Sequence, residues 1–297
     1  ARAAEVQKKT KQSRLWYGRA AKFPTTYYGQ MASHKIGDTH NFALPPAPQT
    51  EDGMAAGFAA HELVRMVRVM HSAKLQTLMR PFIQHLSRMG KTPGWLSETA
   101  RLARASGRPD LAVLVAKLGL AKGINLVEAG YPRLASSVLS YRLEAPFIHA
   151  LIRQESAFNS EAISHAGARG LMQLMPATAM RVAKRHRIPY HKSRLIKDAG
   201  YNLRIGQTFL VELLASFSNS YVLTLAAYNA GPNRVRRWIK LNGDPRDPSV
   251  DAIDWIELIP FSETRNYVQR VLENLHIYRE MAADNQMAFN PEALLRR

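Results

Sequence analysis

Arg153-Gln154-Glu155-Ser156-Ala157-Phe158-Asn159 is followed by Gly167-Ala168-Arg169-Gly170-Leu171-Met172-Gln173-Leu174-Met175-Pro176. The first stretch ends a helical pattern in which Phe147, Ile148, Leu151 and Ile152 form one apolar face. Glu155 comes four residues after Leu151 and eight after Phe147, so it continues that face. Burial disfavours a carboxylate, and the negative end of the helix dipole disfavours it further. Arg153, the nearest cation in sequence, lies elsewhere on the wheel. A carboxyl so placed keeps its proton near neutral pH and suits general-acid chemistry. The same wheel also admits a glutamate that turns out to solvent at a frayed end. Gly167 and Gly170 permit tight turns, and Pro176 suits the first turn of the next helix.

Helical periodicity extends outward in both directions from this point. It predicts helices over residues 4–20, 25–32, 54–72, 73–89, 96–106 and 109–121. Beyond Tyr131-Pro132 it predicts 145–155, 176–187, 200–217, 219–230, 232–241, 251–258 and 262–283. The last is the clearest, with Tyr267, Val268, Val271, Leu272, Leu275, Tyr278 and Met281 on one face. No alternating strand pattern runs longer than a few residues. Residues 39–53, with Pro45, Pro46 and Pro48, read as a linker or long loop, and the residues from Ala283 on as a polar tail. Met66, Met70 and Met79 form a stripe that suits core filling better than a ligand groove.

The chain has 297 residues, 46% of them hydrophobic, enough for about two domains. It contains no apolar run near the roughly 20 residues of a spanning helix. It starts at Ala1 without a leader pattern, which fits a processed protein or a piece of a longer one. Cysteine is absent, so disulfide and thiolate chemistry are excluded. The net charge of +18 favours polyanionic partners: nucleic acid, acidic polysaccharide or an anionic membrane surface. Arg181, Lys184, Arg185 and Arg187 form one basic cluster, and Arg234, Arg236, Arg237 and Lys240 another. Aromatic residues do not interleave with them as a stacking platform for nucleic acid requires, so no nucleic-acid partner is expected. The histidines lack ligand spacing; His61-Glu62 has no histidine four residues after His61. No metal or other cofactor is expected.

Further on, Ala226-Ala227-Tyr228-Asn229-Ala230-Gly231-Pro232 ends one helix and starts another, leaving a phenol and an amide at the junction. A protonated acid, a glutamine, a tyrosine and an asparagine together suit a cleft that reads sugar hydroxyl and acetamido groups. Glu155-Ser156, Gly170-Leu171-Met172-Gln173, Ala227-Tyr228-Asn229-Ala230-Gly231 and Tyr267 resemble, in order and spacing, the four signature motifs of soluble lytic transglycosylases. Ile259-Pro260-Phe261-Ser262-Glu263-Thr264-Arg265-Asn266-Tyr267-Val268 is similar to that family's closing helix. Trp16-Tyr17-Gly18-Arg19-Ala20-Ala21 and Tyr27-Tyr28-Gly29-Gln30-Met31-Ala32 resemble the last turns of its helical superhelix.

The resemblance implies a mainly α fold. Residues 1–37 would end the superhelix, most of which would be missing, and 38–130 would be a helical linker domain. Residues 131–285 would be a lysozyme-like catalytic domain, and 286–297 a tail. It implies cleavage of the β-1,4 bond between N-acetylmuramic acid and N-acetylglucosamine in peptidoglycan, with 1,6-anhydro products. Glu155 would act as acid and then base. Ser156, Gly170, Met172, Gln173, Ala227, Tyr228, Asn229 and Tyr267 would bind substrate. Glu263 reads either as a group that orients a site residue or, equally, as a plain charge at the N-terminal end of its helix. Glu161 reads as a surface helix start rather than a second acid. Peptidoglycan strands would be the partner, alongside proteins of cell-wall synthesis or division, and the compartment would be the periplasm. A hydrolase resembling goose-type lysozyme and a non-catalytic peptidoglycan-binding helical scaffold are the competing expectations.

Overall fold

The computed structural model describes residues 1–37, 44, 46, 48–49, 52–140 and 142–282. Most of the proline-rich stretch at 39–53 and the tail from Ala283 on lie outside the described residues. The helices are α1 (Arg2–Val6), α2 (Thr10–Ala21), α3 (Tyr27–Lys35), α4 (Asp52–Ala60), α5 (Glu62–Ser72), α6 (Arg80–Met89), α7 (Pro93–Ala105), α8 (Pro109–Leu120) and α9 (Val127–Gly130). They continue as α10 (Ala145–Glu155), α11 (Pro176–Arg185), α12 (Arg194–Lys197), α13 (Ala199–Ser216), α14 (Tyr221–Ala230), α15 (Pro232–Asn242), α16 (Ala252–Glu257) and α17 (Ser262–Ala282). Among the described residues the extended pairing amounts to isolated bridges, Ile163 with Arg169 and Arg169 with Leu174. The fold is all-helical, as the periodicity predicts.

Several expected helices are divided, each for a local reason. The helix expected over 4–20 breaks at Lys8, whose φ of 58° lets Lys9 N–H reach back to Ala4 O. The one expected over 54–72 breaks at His61. That residue is extended, and its Nδ1 accepts the Leu63 N–H, so it caps α5. The stretch 73–89 is a short 3-10 turn (Gln76–Leu78) followed by α6, after Lys74 at φ 58°. In the stretch 219–230 the helix begins only at Tyr221, because Ser218 and Asn219 take left-handed backbone and Ser220 caps Leu223 N–H. The short helices α9 and α12 carry too few residues for a period to show.

Two cores form. Phe58, Val64, Val67, Met79, Ile83, Leu86, Leu96 and Leu111 knit α4 to α8 together. Met70 and Met79 are buried in this core, and Met66 is 45% exposed. The larger core runs from Val127 to Tyr278 and also takes in Tyr27 and Met31 of α3. Glu273 of α17 accepts the Tyr27 N–H at 2.9 Å, and Gln30 donates to the Glu273 carbonyl at 3.2 Å. The N-terminal helices thus pack on the C-terminal ones. The antiparallel neighbours α10 and α17 form the centre of this core. Phe147, Ile148, Leu151 and Ile152 on one side, and Val268, Val271 and Leu275 on the other, are all fully buried.

Candidate active site

Glu155 is the last residue of α10. The chain leaves the helix through Ala157 and Phe158, which both have positive φ, 51° and 68°. Such backbone is costly for residues with a side chain, and it clusters where geometry is over-determined. The buried Phe158 ring anchors the turn. Ser156 Oγ donates to the Leu171 carbonyl at 2.8 Å, fastening the end of α10 to the glycine-bounded turn.

That turn is built around a two-way backbone pair between Arg169 and Leu174, each N–H···O distance 3.0 Å. Gly170 (φ 74°) and Gln173 (φ 44°) bend the chain between them. The Gln173 amide donates to Ala162 O at 3.1 Å and Gly170 O at 2.9 Å, so its nitrogen braces the turn. Met172 is fully buried and packs its sulfur against Gly206 of α13. Its peptide is clamped on both sides. Asn202 Oδ1 accepts the Met172 N–H at 2.9 Å, and Tyr228 donates its hydroxyl to the Met172 carbonyl at 2.7 Å.

Asn202 is absent from the sequence-based site. It is fully buried, and its Nδ2 donates to Arg169 O at 2.8 Å and Leu195 O at 2.9 Å. A polar residue inside the apolar pattern of α13 is the signal that marks it, because a buried amide needs partners. Thr264 is a second such residue. Its Oγ1 donates to Asn229 Oδ1 at 2.6 Å, fixing the amide at the end of α14. Glu263, expected to orient a site residue, is exposed on the first turn of α17. The orienting hydrogen bond comes from its neighbour Thr264. Ala227 is buried in α14, and its carbonyl accepts the Gly231 N–H where Gly231 caps that helix.

Tyr267 of α17 donates its hydroxyl to Glu155 Oε1 at 2.7 Å. Burial pushes the Glu155 carboxyl up to about 8, the charge of Glu263 adds to the rise, and the Tyr267 hydrogen bond opposes it. Burial, with the nearby Glu155, holds the phenols of Tyr228 and Tyr267 well above their usual value. Arg153 does not neutralise the acid. Its guanidinium donates to Gly130 O at 2.7 Å and Asn274 Oδ1 at 2.6 Å, with its carbon 3.9 Å from the Tyr131 ring centre. Glu161 is exposed in a turn whose N–H is accepted by Asn159 Oδ1, not at the helix start expected for it. His149 accepts the Leu134 N–H at 3.0 Å, and burial lowers its imidazole to about 4. Among the described residues no three His, Cys, Asp or Glu side chains cluster as metal ligands would.

Tyr267→Phe removes the hydrogen bond that favours the charged carboxylate. Glu155 then keeps its proton to higher pH, so the alkaline limb of a pH–rate profile, expected near 8 for the parent, moves upward in the variant. An unmoved alkaline limb in this variant would detach the limb from Glu155.

Residues 135–249 match the family model of the transglycosylase SLT domain, and residues 258–286 match that of the soluble lytic transglycosylase helical domain. Glu155 thus lies in the first matched segment and Tyr267 in the second. The soluble lytic murein transglycosylase of Escherichia coli K12 is 34% identical over 268 residues, 87% of this chain and 39% of that protein. The Salmonella typhimurium protein of the same name is 31% identical over 281 residues, 91% of this chain and 41% of its own length. The chain therefore spans about two fifths of these relatives. Among solved structures, the 70-kDa soluble lytic transglycosylase of Escherichia coli superposes with a TM-score of 0.80 at 29% identity, covering 97% of this chain and 46% of that one. An inactive mutant of the lytic transglycosylase Slt of Pseudomonas aeruginosa superposes with a TM-score of 0.78 at 29% identity, covering 98% of this chain and 47% of that one. Residues 135–249 thus carry a transglycosylase SLT domain, and most of the chain is homologous to part of the soluble lytic murein transglycosylases.

Proposed function

We propose that this chain is a lytic transglycosylase that cleaves peptidoglycan between N-acetylmuramic acid and N-acetylglucosamine. The observation that carries the reading is one buried carboxylic acid, Glu155, raised to about 8 and hydrogen-bonded by Tyr267, while Glu263, the acid whose charge reaches it, is exposed on the first turn of α17. Hydrolytic glycosidases usually need a pair of carboxylates, about 5–9.5 Å apart. Here one acid performs both proton transfers. Protonated Glu155 gives its proton to the glycosidic oxygen as the C1–O bond breaks. The substrate's acetamido group stabilises the positive centre. The Glu155 carboxylate then takes the proton of the C6 hydroxyl, whose oxygen bonds to C1 and closes the 1,6-anhydro ring. Bonds and protons balance without water. The intramolecular hydroxyl supplies a high effective concentration.

Tyr228, Asn229 and the carbonyl oxygen of Gln173 line the polar side of the site in this reading. Met172 and Ala227 form its apolar support, and Ser156 and Gly170 shape the turn. Residues 131–285 would form the catalytic unit, 38–130 a linker domain and 1–37 the end of a superhelix. The periplasm is the compartment that holds this substrate. Among the described residues no helix is long and apolar enough to cross a membrane. The +18 charge suits a polymer rich in stem-peptide carboxylates.

Digestion of purified sacculi followed by mass analysis tests the proposal. Products one water lighter than hydrolysis products are expected. Products carrying the added water would assign the goose-type-lysozyme-like reaction instead, and intact sacculi would leave a binding scaffold.

A further inference from the structure

Phe261 stands just ahead of α17, and its carbonyl accepts the Arg265 N–H at 2.9 Å, which fixes its place. Its ring meets the buried Trp238 of α15 edge-on, centroids 5.5 Å apart at 82°. The Arg234 guanidinium carbon lies 5.3 Å from the ring centre, and Arg234 is itself tied to Ala230 O at 2.9 Å. Although held by these partners, Phe261 leaves 45% of its surface open. Exposure alone decides nothing, since Leu241 and Leu258 are more exposed. Position does. Thr264, one turn later, holds Asn229, and Tyr267 holds Glu155. A rise of 1.5 Å per residue sets Phe261 about 9 Å along the helix axis from Tyr267. Arg234 has no carboxylate partner among the described residues. It rises from the same junction, Ala230-Gly231-Pro232, that presents Asn229.

We propose that Phe261 and Arg234 form a sugar-binding platform beside the Glu155 site. Phe261 stacks on the C–H face of a pyranose ring, and Arg234 faces the acidic substituents of the same strand. The proposal rests on the transglycosylase reading and adds to it the residues that read the strand beside the scissile bond. A pyranose offers an apolar face of slightly positive C–H groups, which complements the negative face of an aromatic ring. Arg234, bonded to Ala230 O and set against the Phe261 ring, has further guanidinium N–H groups to offer carboxylates carried by a peptide-bearing strand.

The test uses the full chain carrying Glu155→Gln, so that binding is read without cleavage. Its Kd is measured for peptidoglycan strands with their stem peptides and for strands stripped of them. Phe261→Ala and Phe261→Leu are each expected to weaken both by about tenfold or more, and Phe261→Trp to retain them. Phe261→Leu keeps apolar packing on Trp238 but has no flat ring, so it separates stacking from folding. Binding by Phe261→Leu within twofold of the parent overturns the platform, as does a parent that binds neither strand. Arg234→Gln should weaken only the peptide-bearing strands; an equal loss on both removes the carboxylate role. Hydrolytic products from the active chain would sink the transglycosylase reading alone, because the Kd comparison does not depend on the fate of the bond.

Discussion

Glu155→Gln is expected to lower formation of anhydro products by about a thousandfold, within the range assigned to a positioned general acid–base. Glycan binding should remain close to that of the parent. The amide is nearly isosteric and can still accept from the Tyr267 hydroxyl, which donates to Oε1 at 2.7 Å, but it has no proton to give at this strength. The same variant has a stability signature of opposite sign. The folded-state pKa of Glu155 is raised to about 8 from 4.5. Between those values the native chain holds a proton that the unfolded chain has released. Its favourable contribution is present below the unfolded pKa and is lost as pH rises through the folded one. The Gln variant lacks this titration. Its denaturation midpoint, compared with the parent's, should therefore improve from about pH 4.5 to about pH 8 and then level off. A variant that keeps most of its turnover would mean that Glu155 is not the acid, and one that shows no pH-dependent gain would mean that it is not a buried carboxyl of raised pKa.

The helical character of the chain and the placing of Glu155 were legible because both rest on local periodicity. Residues 145–155 read from apolar spacing alone coincide with α10. The motif residues were legible for a different reason: glycine and proline punctuate both turns, and the residues between them are small, amide or phenolic. What was hidden depends on contacts made across the sequence. Nothing local marks Thr264 as the partner of Asn229, or Asn202 as the clamp on Met172, because each bond joins residues thirty or more positions apart. The left-handed turn at Ala157 and Phe158 was hidden as well, since neither residue favours that backbone on its own. The helix breaks at Lys8, His61 and Lys74 carry no glycine or proline, and the packing of α3 on α17 has no signal in either segment alone.

Gly170→Ala should be the most damaging single-atom change in the site. Gly170 has φ 74°, where an L-residue costs roughly 1–2 kcal/mol. A Cβ there would also lie 2.1 Å from the Leu195 carbonyl oxygen and 2.3 Å from Asn202 Nδ2. Neither neighbour can yield cheaply. The oxygen is backbone, and the Asn202 amide is committed to Met172 N–H, Arg169 O and Leu195 O. Overpacking of this kind costs about 1–3 kcal/mol, so the total loss comes to about 2–5 kcal/mol. Displacing Asn202 also frees the Met172 peptide and, through its carbonyl, the Tyr228 hydroxyl. Activity should therefore fall even at temperatures where the variant remains folded. Gly167→Ala supplies the control. Its φ is 85°, yet a Cβ there meets nothing within 4 Å, so it carries the backbone cost alone, roughly 1–2 kcal/mol. Denaturant midpoints and product yields of the two variants separate the effects. Equal losses would show that backbone conformation, and not the close approach to Asn202, makes glycine necessary at position 170.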